Sequence, residues 1–301
     1  MESLLCNESI PNVIDISNLN KSIDVEPTVD RILVNDKRVM ENMLLMESHY
    51  SIVDYCGHVQ SEIAPHMRKI VTDWMMEVCE DQHCQPEVFF LAVNYLDRFL
   101  SLVNIKKNQF QLLASVCILL ASKFSQVVPI TTEQLVIYTD NSVTIEQLRL
   151  WEMEVLNVLQ WEISASTAHS FLTHFCSSRG IKNEDSVSRQ AASLAAMAST
   201  EYKFITTKQS IIAAASLAAA VQLEEKNQAA TKNVIEYLSV LVKSSPKEIM
   251  FFMHHLADFS SEDSDSESGY SSDSSNCSDV KVSEKKSSFT NAPNYGFVAA
   301  K

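Results

Sequence analysis

The sequence has 301 residues, 24 of them Lys or Arg and 38 Asp or Glu, giving a formal net charge of −14, and 46% are hydrophobic. That length predicts one or two domains at roughly 100–200 residues each, and the hydrophobic fraction excludes a wholly disordered chain. With only 4 Gly, no GxGxxG loop and no GxxxxGK loop followed by Ser or Thr can be written, so kinase, P-loop and Rossmann folds are disfavoured, and the acidic balance argues against a nucleic-acid binder.

Residues 1–28 are mixed and polar, with Pro11 and Pro27, and are expected to form a flexible arm. From about Asn35 the pattern turns helical, with Val39, Met43, Leu44 and Met46 on one stripe. A long helix is expected from Pro65, a residue tolerated in a first turn, carrying Met67, Ile70, Val71, Trp74, Met75 and Val78. Pro86 opens another, with Val88, Leu91, Ala92, Tyr95, Leu96 and Phe99 at helical spacing. The run Phe110–Phe124 is apolar nearly all round, the mark of a helix at the centre of a bundle. Thr131 and Thr132 cap a short helix to Tyr138, and Thr144 with Gln147 resembles a capping box that opens a helix to about Leu159.

A second block follows. Thr167, Asn183 or Ser186, Lys208 and Ser244-Ser245-Pro246 mark helix starts, and Ser210–Val221 is again apolar nearly all round. Two blocks of about five helices, each around one small-residue central helix, predict a duplicated all-α architecture whose halves share pattern rather than sequence. After Phe259 the composition shifts. Ser260–Asp279 holds ten Ser and six acidic residues with no Lys or Arg. Such a segment cannot bury enough apolar surface to offset its ordering entropy, so residues 260–301 are expected to be a disordered tail.

Other chemistries find little support. The 7 Cys are scattered and form no CxxC, which fits reduced thiols, and the longest apolar runs are half the ~20 residues that span a bilayer. A soluble, intracellular chain without a signal segment is expected. The 8 His make no HExxH; His169 and His174 are five apart, and His254-His255 are expected at the surface. No metal or cofactor is expected, and no nucleophile–base set stands out.

Met67-Arg-Lys-Ile-Val-Thr-Asp-Trp74, Asn94-Tyr-Leu-Asp-Arg-Phe-Leu100 and Leu119-Leu-Ala-Ser-Lys-Phe124 resemble three successive helices of a cyclin box. With Ile137-Tyr-Thr-Asp-Asn141 and Leu4-Leu-Cys6-Asn-Glu8, the resemblance is to the D-type (G1) cyclins, over roughly residues 30–258 and strongest over 60–162. It implies two tandem five-helix cyclin boxes: an N-terminal box with a preceding helix over 29–162 and a C-terminal box over 163–259. It also implies a regulatory subunit, itself no enzyme, that activates a G1-type cyclin-dependent kinase and promotes the G1/S transition. Retinoblastoma-type pocket proteins and Cip/Kip-type inhibitors are the further implied partners, nucleic acid and membrane are not, and nucleus and cytoplasm are the implied locations. A cyclin-fold transcription factor of the IIB kind, or an all-α scaffold without a kinase partner, is the alternative, and a basic face would favour the former.

The resemblance also assigns residues. Arg68 and Asp97 correspond to a buried ion pair that fixes helix geometry. Met67, Ile70, Val71 and Trp74, with spacing that by itself suits core packing, correspond to a patch that docks Arg-x-Leu peptides of substrates and inhibitors, with Glu77 and Gln111 at its rim and Ile70 shared between patch and core. Lys123 and Glu152 correspond to the residues that hold the kinase; Lys123-Phe-Ser-Gln126 departs from a common Lys-x-x-Glu pattern, so position 126 carries no charge. Leu4-x-Cys6-x-Glu8, with Ile10, matches the LxCxE pocket-protein signature, in which alternate side chains of an extended peptide enter one groove. The tail reads either as a solvating segment or as a phosphorylated, turnover-linked one.

Overall fold

The computed structural model describes residues 36–50, 52–179, 186–225 and 228–265, the stretch from 257 onward by its backbone. Leu4, Cys6, Glu8 and Ile10, and the tail beyond 265, lie outside the described residues.

Among the described residues, eleven α-helices run α1 Lys37–His49, α2 Pro65–Asp81, α3 Pro86–Leu102, α4 Phe110–Ser125, α5 Thr132–Tyr138, α6 Ile145–Val158, α7 Ala168–Arg179, α8 Ser186–Thr200, α9 Gln209–Glu225, α10 Gln228–Leu241 and α11 Pro246–Asp265. Among the described residues the only β pairing is a bridge between Cys56 and Gln60. The starts follow the sequence chemistry. Pro opens α2, α3 and α11, where the missing N–H costs nothing. Thr131 with Gln134 and Thr144 with Gln147 form reciprocal capping boxes on α5 and α6, each hydroxyl accepting from the third backbone N–H at 3.2 Å.

The ends are less conventional. With almost no Gly available, four helices reverse on residues with left-handed backbone: His83 after α2, Asp140 and Asn141 after α5, Gln160 and Trp161 after α6, and Lys243 after α10, all at φ between 50° and 62°. The 6→1 bonds Cys84 N to Cys79 O, Asn141 N to Val136 O, Trp161 N to Leu156 O and Ser244 N to Ser239 O close these turns in Schellman fashion.

Helices α2–α6 build the first box and α7–α11 the second. In α4 every residue from Leu112 to Ser122 is buried, as is every residue of α9 from Ser210 to Val221. Both are the central rods their composition predicts. The third fully enclosed helix is α3: Val88 through Leu100 are all buried, including Asn94, Asp97 and Arg98. A stripe on one face was the sequence expectation; the opposite face is covered because α3 also meets α7 and α8 of the second box.

Two boundaries differ from expectation. The start of α10 at Gln228 carries no Pro, Ser or Thr signal of the kind that marks the other helices. The last helix runs to Asp265, past the expected end at Phe259. Ile249, Met253 and Leu256 anchor its first part in the core, and helix propagation, which adds one bond per residue, extends from a packed segment at low cost.

Candidate functional site

Arg68 lies on α2 and Asp97 on α3, one helix apart, and both are buried. The guanidinium grips the carboxylate in a fork: Nε donates to Oδ1 at 2.8 Å and Nη2 to Oδ2 at 2.7 Å. Tyr55 Oη donates a third bond to Asp97 Oδ1 at 2.9 Å. The remaining Arg68 donors cross to the other box, where Nη1 reaches Thr200 O at 2.8 Å and Nη2 reaches Ser199 O at 2.9 Å. These carbonyls end α8, and a cation there satisfies orphan acceptors and complements the helix dipole. Burial works against the charge on Arg68, but Asp97 outweighs it and holds the guanidinium above its ordinary pKa. Burial, reinforced by Asp97, likewise pushes Tyr55 well up, so its hydroxyl stays a donor. The pair therefore joins the two boxes as well as α2 to α3.

Further polar ties between the halves involve residues the sequence did not single out. Glu47 of α1 accepts from Ser210 N at 2.6 Å and Ser210 Oγ at 2.8 Å, capping central helix α9. Glu87 in the first turn of α3 accepts from Thr167 Oγ1 at 2.8 Å and Ser170 Oγ at 3.0 Å, at the start of α7. Tyr202 stacks edge-on against Tyr55, donates to Asp54, and accepts from Cys56 N at 2.9 Å. Arg98 donates to Glu162 O at 2.8 Å in the connecting segment and lies 4.1 Å above the Tyr50 ring. No local pattern marks these groups, because each partner is far away in sequence.

Lys123 in the last turn of α4 meets Glu152 in the middle of α6. Nζ donates to Oε1 at 2.5 Å, and the side chains are 45% and 17% exposed. The neighbouring stretches of chain carry uncovered apolar residues: Phe124, Val127 and Val128 after α4 and Leu150 and Met153 on α6 are all exposed, Val127 at 88% and Leu150 at 72%. Val127 and Val128 sit in the loop after α4, where a solvated chain would carry polar residues. Leu150 and Met153 face away from the buried Leu148 and Val155 of the same helix. Gln126 caps α4, and its Oε1 accepts from Ser122 Oγ at 2.9 Å. Ser122 Oγ in turn accepts from Ile130 N at 2.6 Å, so the uncharged residue at 126 belongs to a network that shapes the loop.

On α2, Met67, Val71 and Trp74 are half-buried and rest on the core. Ile70, 54% exposed, is partly covered and partly open. Position 70 falls on the outer side because Arg68, Thr72 and Met75 claim the inner one. Glu77 is exposed one turn on, and Gln111, in the first turn of α4, accepts from Ser142 Oγ at 3.3 Å. His169, read only for metal spacing, is a half-buried ring stacked on Phe90, and desolvation alone lowers its pKa to about 4. Among the described residues, no group of three or more His, Cys, Asp or Glu is placed to hold a metal, and no helix is long and apolar enough to cross a membrane.

Residues 38–164 match the family "Cyclin, N-terminal domain", and residues 166–286 match "Cyclin, C-terminal domain". The chain is 41% identical over 225 residues to G1/S-specific cyclin-D1 of Xenopus laevis, covering 72% of this chain and 77% of that protein. It is 42% identical over 224 residues to G1/S-specific cyclin-D1 of Homo sapiens, covering 72% and 76%. The chain belongs to the D-type cyclins. A viral cyclin from herpesvirus saimiri is similar in structure, with a TM-score of 0.65 at 25% identity over 75% of this chain and 97% of that one. This D-type cyclin is thus a regulatory subunit rather than an enzyme, built from two tandem cyclin domains, and its partner is a cyclin-dependent kinase.

Proposed function

We propose that this D-type cyclin activates a G1-type cyclin-dependent kinase through the face centred on Lys123 and Glu152. The observation that carries this reading is the Lys123–Glu152 pair itself, held in register, with uncovered Phe124, Val127 and Val128 directly after Lys123 in the chain and uncovered Met153 next to Glu152. Interfaces pair an apolar core with polar groups that fix orientation, and a held charge pair beside uncovered apolar side chains supplies both. A kinase subunit alone holds its αC helix, and with it the Glu that pairs with the ATP-positioning Lys, out of place. A rigid face that binds the in-place arrangement more tightly shifts the population by that difference in affinity. Lys123 and Glu152 offer a donor and acceptors to backbone near that helix, and the neighbouring apolar residues exclude water from the contact.

Two further surfaces recruit substrate on this reading. The α2 face of Met67, Ile70, Val71 and Trp74, with Glu77 and Gln111 at its rim, docks Arg-x-Leu segments of substrates and Cip/Kip-type inhibitors: exposed Ile70 meets the Leu and Glu77 the Arg. Leu4, Cys6, Glu8 and Ile10 in the N-terminal arm engage retinoblastoma-type pocket proteins as an extended strand. Linked weak sites raise the local concentration of substrate. On this reading the protein acts in the nucleus and the cytoplasm.

The test is reconstitution with a G1-type kinase. Lys123→Glu sets two carboxylates together and removes the donor, and activation is expected to fall about 30-fold or more, the usual cost of breaking a charged contact at an interface centre. Wild-type activation by that variant would refute the assignment of the face. Ile70→Ser is expected to lose Arg-x-Leu peptide binding with kinase activation intact, and Cys6→Gly with Glu8→Lys to lose pocket-protein capture.

A further inference from the structure

Helix α2 ends in a complete Schellman motif. His83 N donates to Glu80 O at 3.0 Å and Cys84 N to Cys79 O at 2.8 Å, with His83 left-handed at φ 50°. In this motif the side chains three residues before and two residues after the helix cap are brought into contact. Here Gln82 is the cap, and those two positions are Cys79 and Cys84. The two thiols therefore face one another closely enough to influence each other's ionisation, although five residues apart on a helix they would diverge. Cys79 is buried and Cys84 is half-exposed.

The second sulfur is also tied to the kinase-facing end of the molecule. The Gln126 side chain lies near enough to Cys84 to favour its ionised form, while its Oε1 accepts from Ser122 Oγ, which accepts from Ile130 N. Gln126 is therefore the link between the α2–α3 turn and the loop that presents Val127 and Val128 beside Lys123.

We propose that Cys79 and Cys84 form a peroxide-oxidisable dithiol, and that closing it to a disulfide loosens the loop 126–130 and weakens kinase binding. The chemistry follows from the asymmetry of the pair. Cys84 lies just ahead of the N-terminus of α3, beside Cys79 and Gln126. The Cys79 contact, with help from Gln126 and against burial, lowers its pKa, so it is the more easily deprotonated of the two and the one that attacks. Cys79, beside Cys84 and buried, is held as a thiol. Cys84 sulfur attacks one oxygen of hydrogen peroxide; the O–O bond breaks, hydroxide leaves, and Cys84 becomes a sulfenic acid. Cys79 then loses its proton and attacks the Cys84 sulfur; the S–O bond breaks, the S–S bond forms, and water leaves. Both thiols are oxidised by one peroxide, which is reduced to water. Drawing the Cys84 sulfur into a bond with Cys79 leaves beside Gln126 a neutral, weaker acceptor that can no longer take up charge.

The kinase effect rests on the proposed interface, whereas the thiol chemistry does not, so two readouts are needed. The reduced full-length chain is treated with peroxide, alkylated and mapped by mass spectrometry. In the wild type, the peptide holding residues 79 and 84 is expected to resist alkylation at both positions and to lose two hydrogens without gaining oxygen. In Cys84→Ser, Cys79 is expected to stay alkylatable; in Cys79→Ser, a sulfenic acid at Cys84 is expected to be trapped by dimedone. Full alkylation of the treated wild type, or equal oxidation of Cys79 in Cys84→Ser, overturns the dithiol. Kinase affinity of the oxidised wild type is then expected to fall about fivefold, the worth of one neutral hydrogen bond, and to recover with a reductant, with no change in treated Cys84→Ser. Unchanged affinity of the disulfide form overturns the coupling to the loop. If the reduced protein itself fails to bind kinase, it is the interface assignment that falls, and the alkylation pattern still decides the dithiol.

Discussion

Glu87 accepts hydroxyl bonds from Thr167 and Ser170, yet no cation offsets its burial, and its pKa is pushed up to about 7. The folded chain therefore binds more protons here than the unfolded chain between about pH 4.5 and pH 7. Stability from this group is complete below the ordinary carboxyl value and is lost as pH rises through about 7. His169, packed on Phe90 nearby, has the opposite sign: its pKa is lowered to about 4, so its contribution is present above the ordinary imidazole value and is lost as pH falls. The two slopes oppose one another in mildly acidic solution, and above about pH 6.5 that of Glu87 acts alone. Glu87→Gln keeps the acceptor and removes the charge. It is expected to be about 3 kcal/mol more stable than the wild type at pH 8 and nearly equal to it at pH 5, as measured by urea unfolding. A wild-type advantage at pH 8 would mean that the carboxylate is better solvated than its position implies. At this scale the sequence was only partly legible. The residue types of Arg68 and Asp97 could be assigned by resemblance, but a sequence cannot show that Arg68 spends half its donors on α8, or that Glu87 meets residues eighty positions away.

Helix starts could be read from residue chemistry because Pro, Thr and Gln act locally, within one turn. Helix ends could not. Gly at the position after the cap is the usual signal, and His83, Gln160 and Lys243 occupy it here with φ of 50°, 54° and 53°. A side chain in the left-handed region costs about 1 kcal/mol. Lys243 lies on the exposed surface after α10 with no ion pair among the described residues. Lys243→Gly is expected to raise stability by about 0.5–1 kcal/mol, seen as a higher urea midpoint at unchanged slope. A drop instead would show that the added freedom of Gly in the unfolded chain outweighs the relief. Amphipathic helix α6 makes the complementary point. Its periodicity marks an inner face, but Leu150 and Met153 form a second apolar face that core packing does not use. Leu150, 72% exposed, is expected to tolerate Gln within about 0.5 kcal/mol of stability, while kinase binding weakens about tenfold or more, as for an interface hot spot. Equal kinase binding would remove α6 from the interface.

Across the whole molecule, the two boxes are joined by the packing of α3 on α7 and α8 and by a set of polar ties: Arg68 to Ser199 and Thr200, Glu87 to Thr167 and Ser170, Glu47 to Ser210, and Tyr202 to Asp54 and Cys56. The repeat of two five-helix blocks was legible from the two small-residue rods, because a helix without a polar face must be central wherever it occurs. The joint between them was not, since hydrogen bonds at sequence separations of 80 to 163 leave no periodic trace. These ties make the boxes a single cooperative unit. If the α2–α3 pair and the α8 terminus share one cation, neither box can open without exposing a buried charge on the other side. Urea unfolding of the wild type is therefore expected to follow one transition, coincident by far-UV circular dichroism and by the fluorescence of Trp74, Trp151 and Trp161, all of which lie in the first box. Arg68→Ala leaves Asp97 buried with only the Tyr55 hydroxyl, and leaves the last carbonyls of α8 without a donor. The expected loss is about 3–5 kcal/mol, and the two probes are expected to separate, with tryptophan fluorescence changing at lower urea than the helix signal because the orphaned carboxylate is in the first box. A variant that loses stability but still unfolds in one coincident step would place the coupling in the apolar contacts of α3 with α7 and α8 instead.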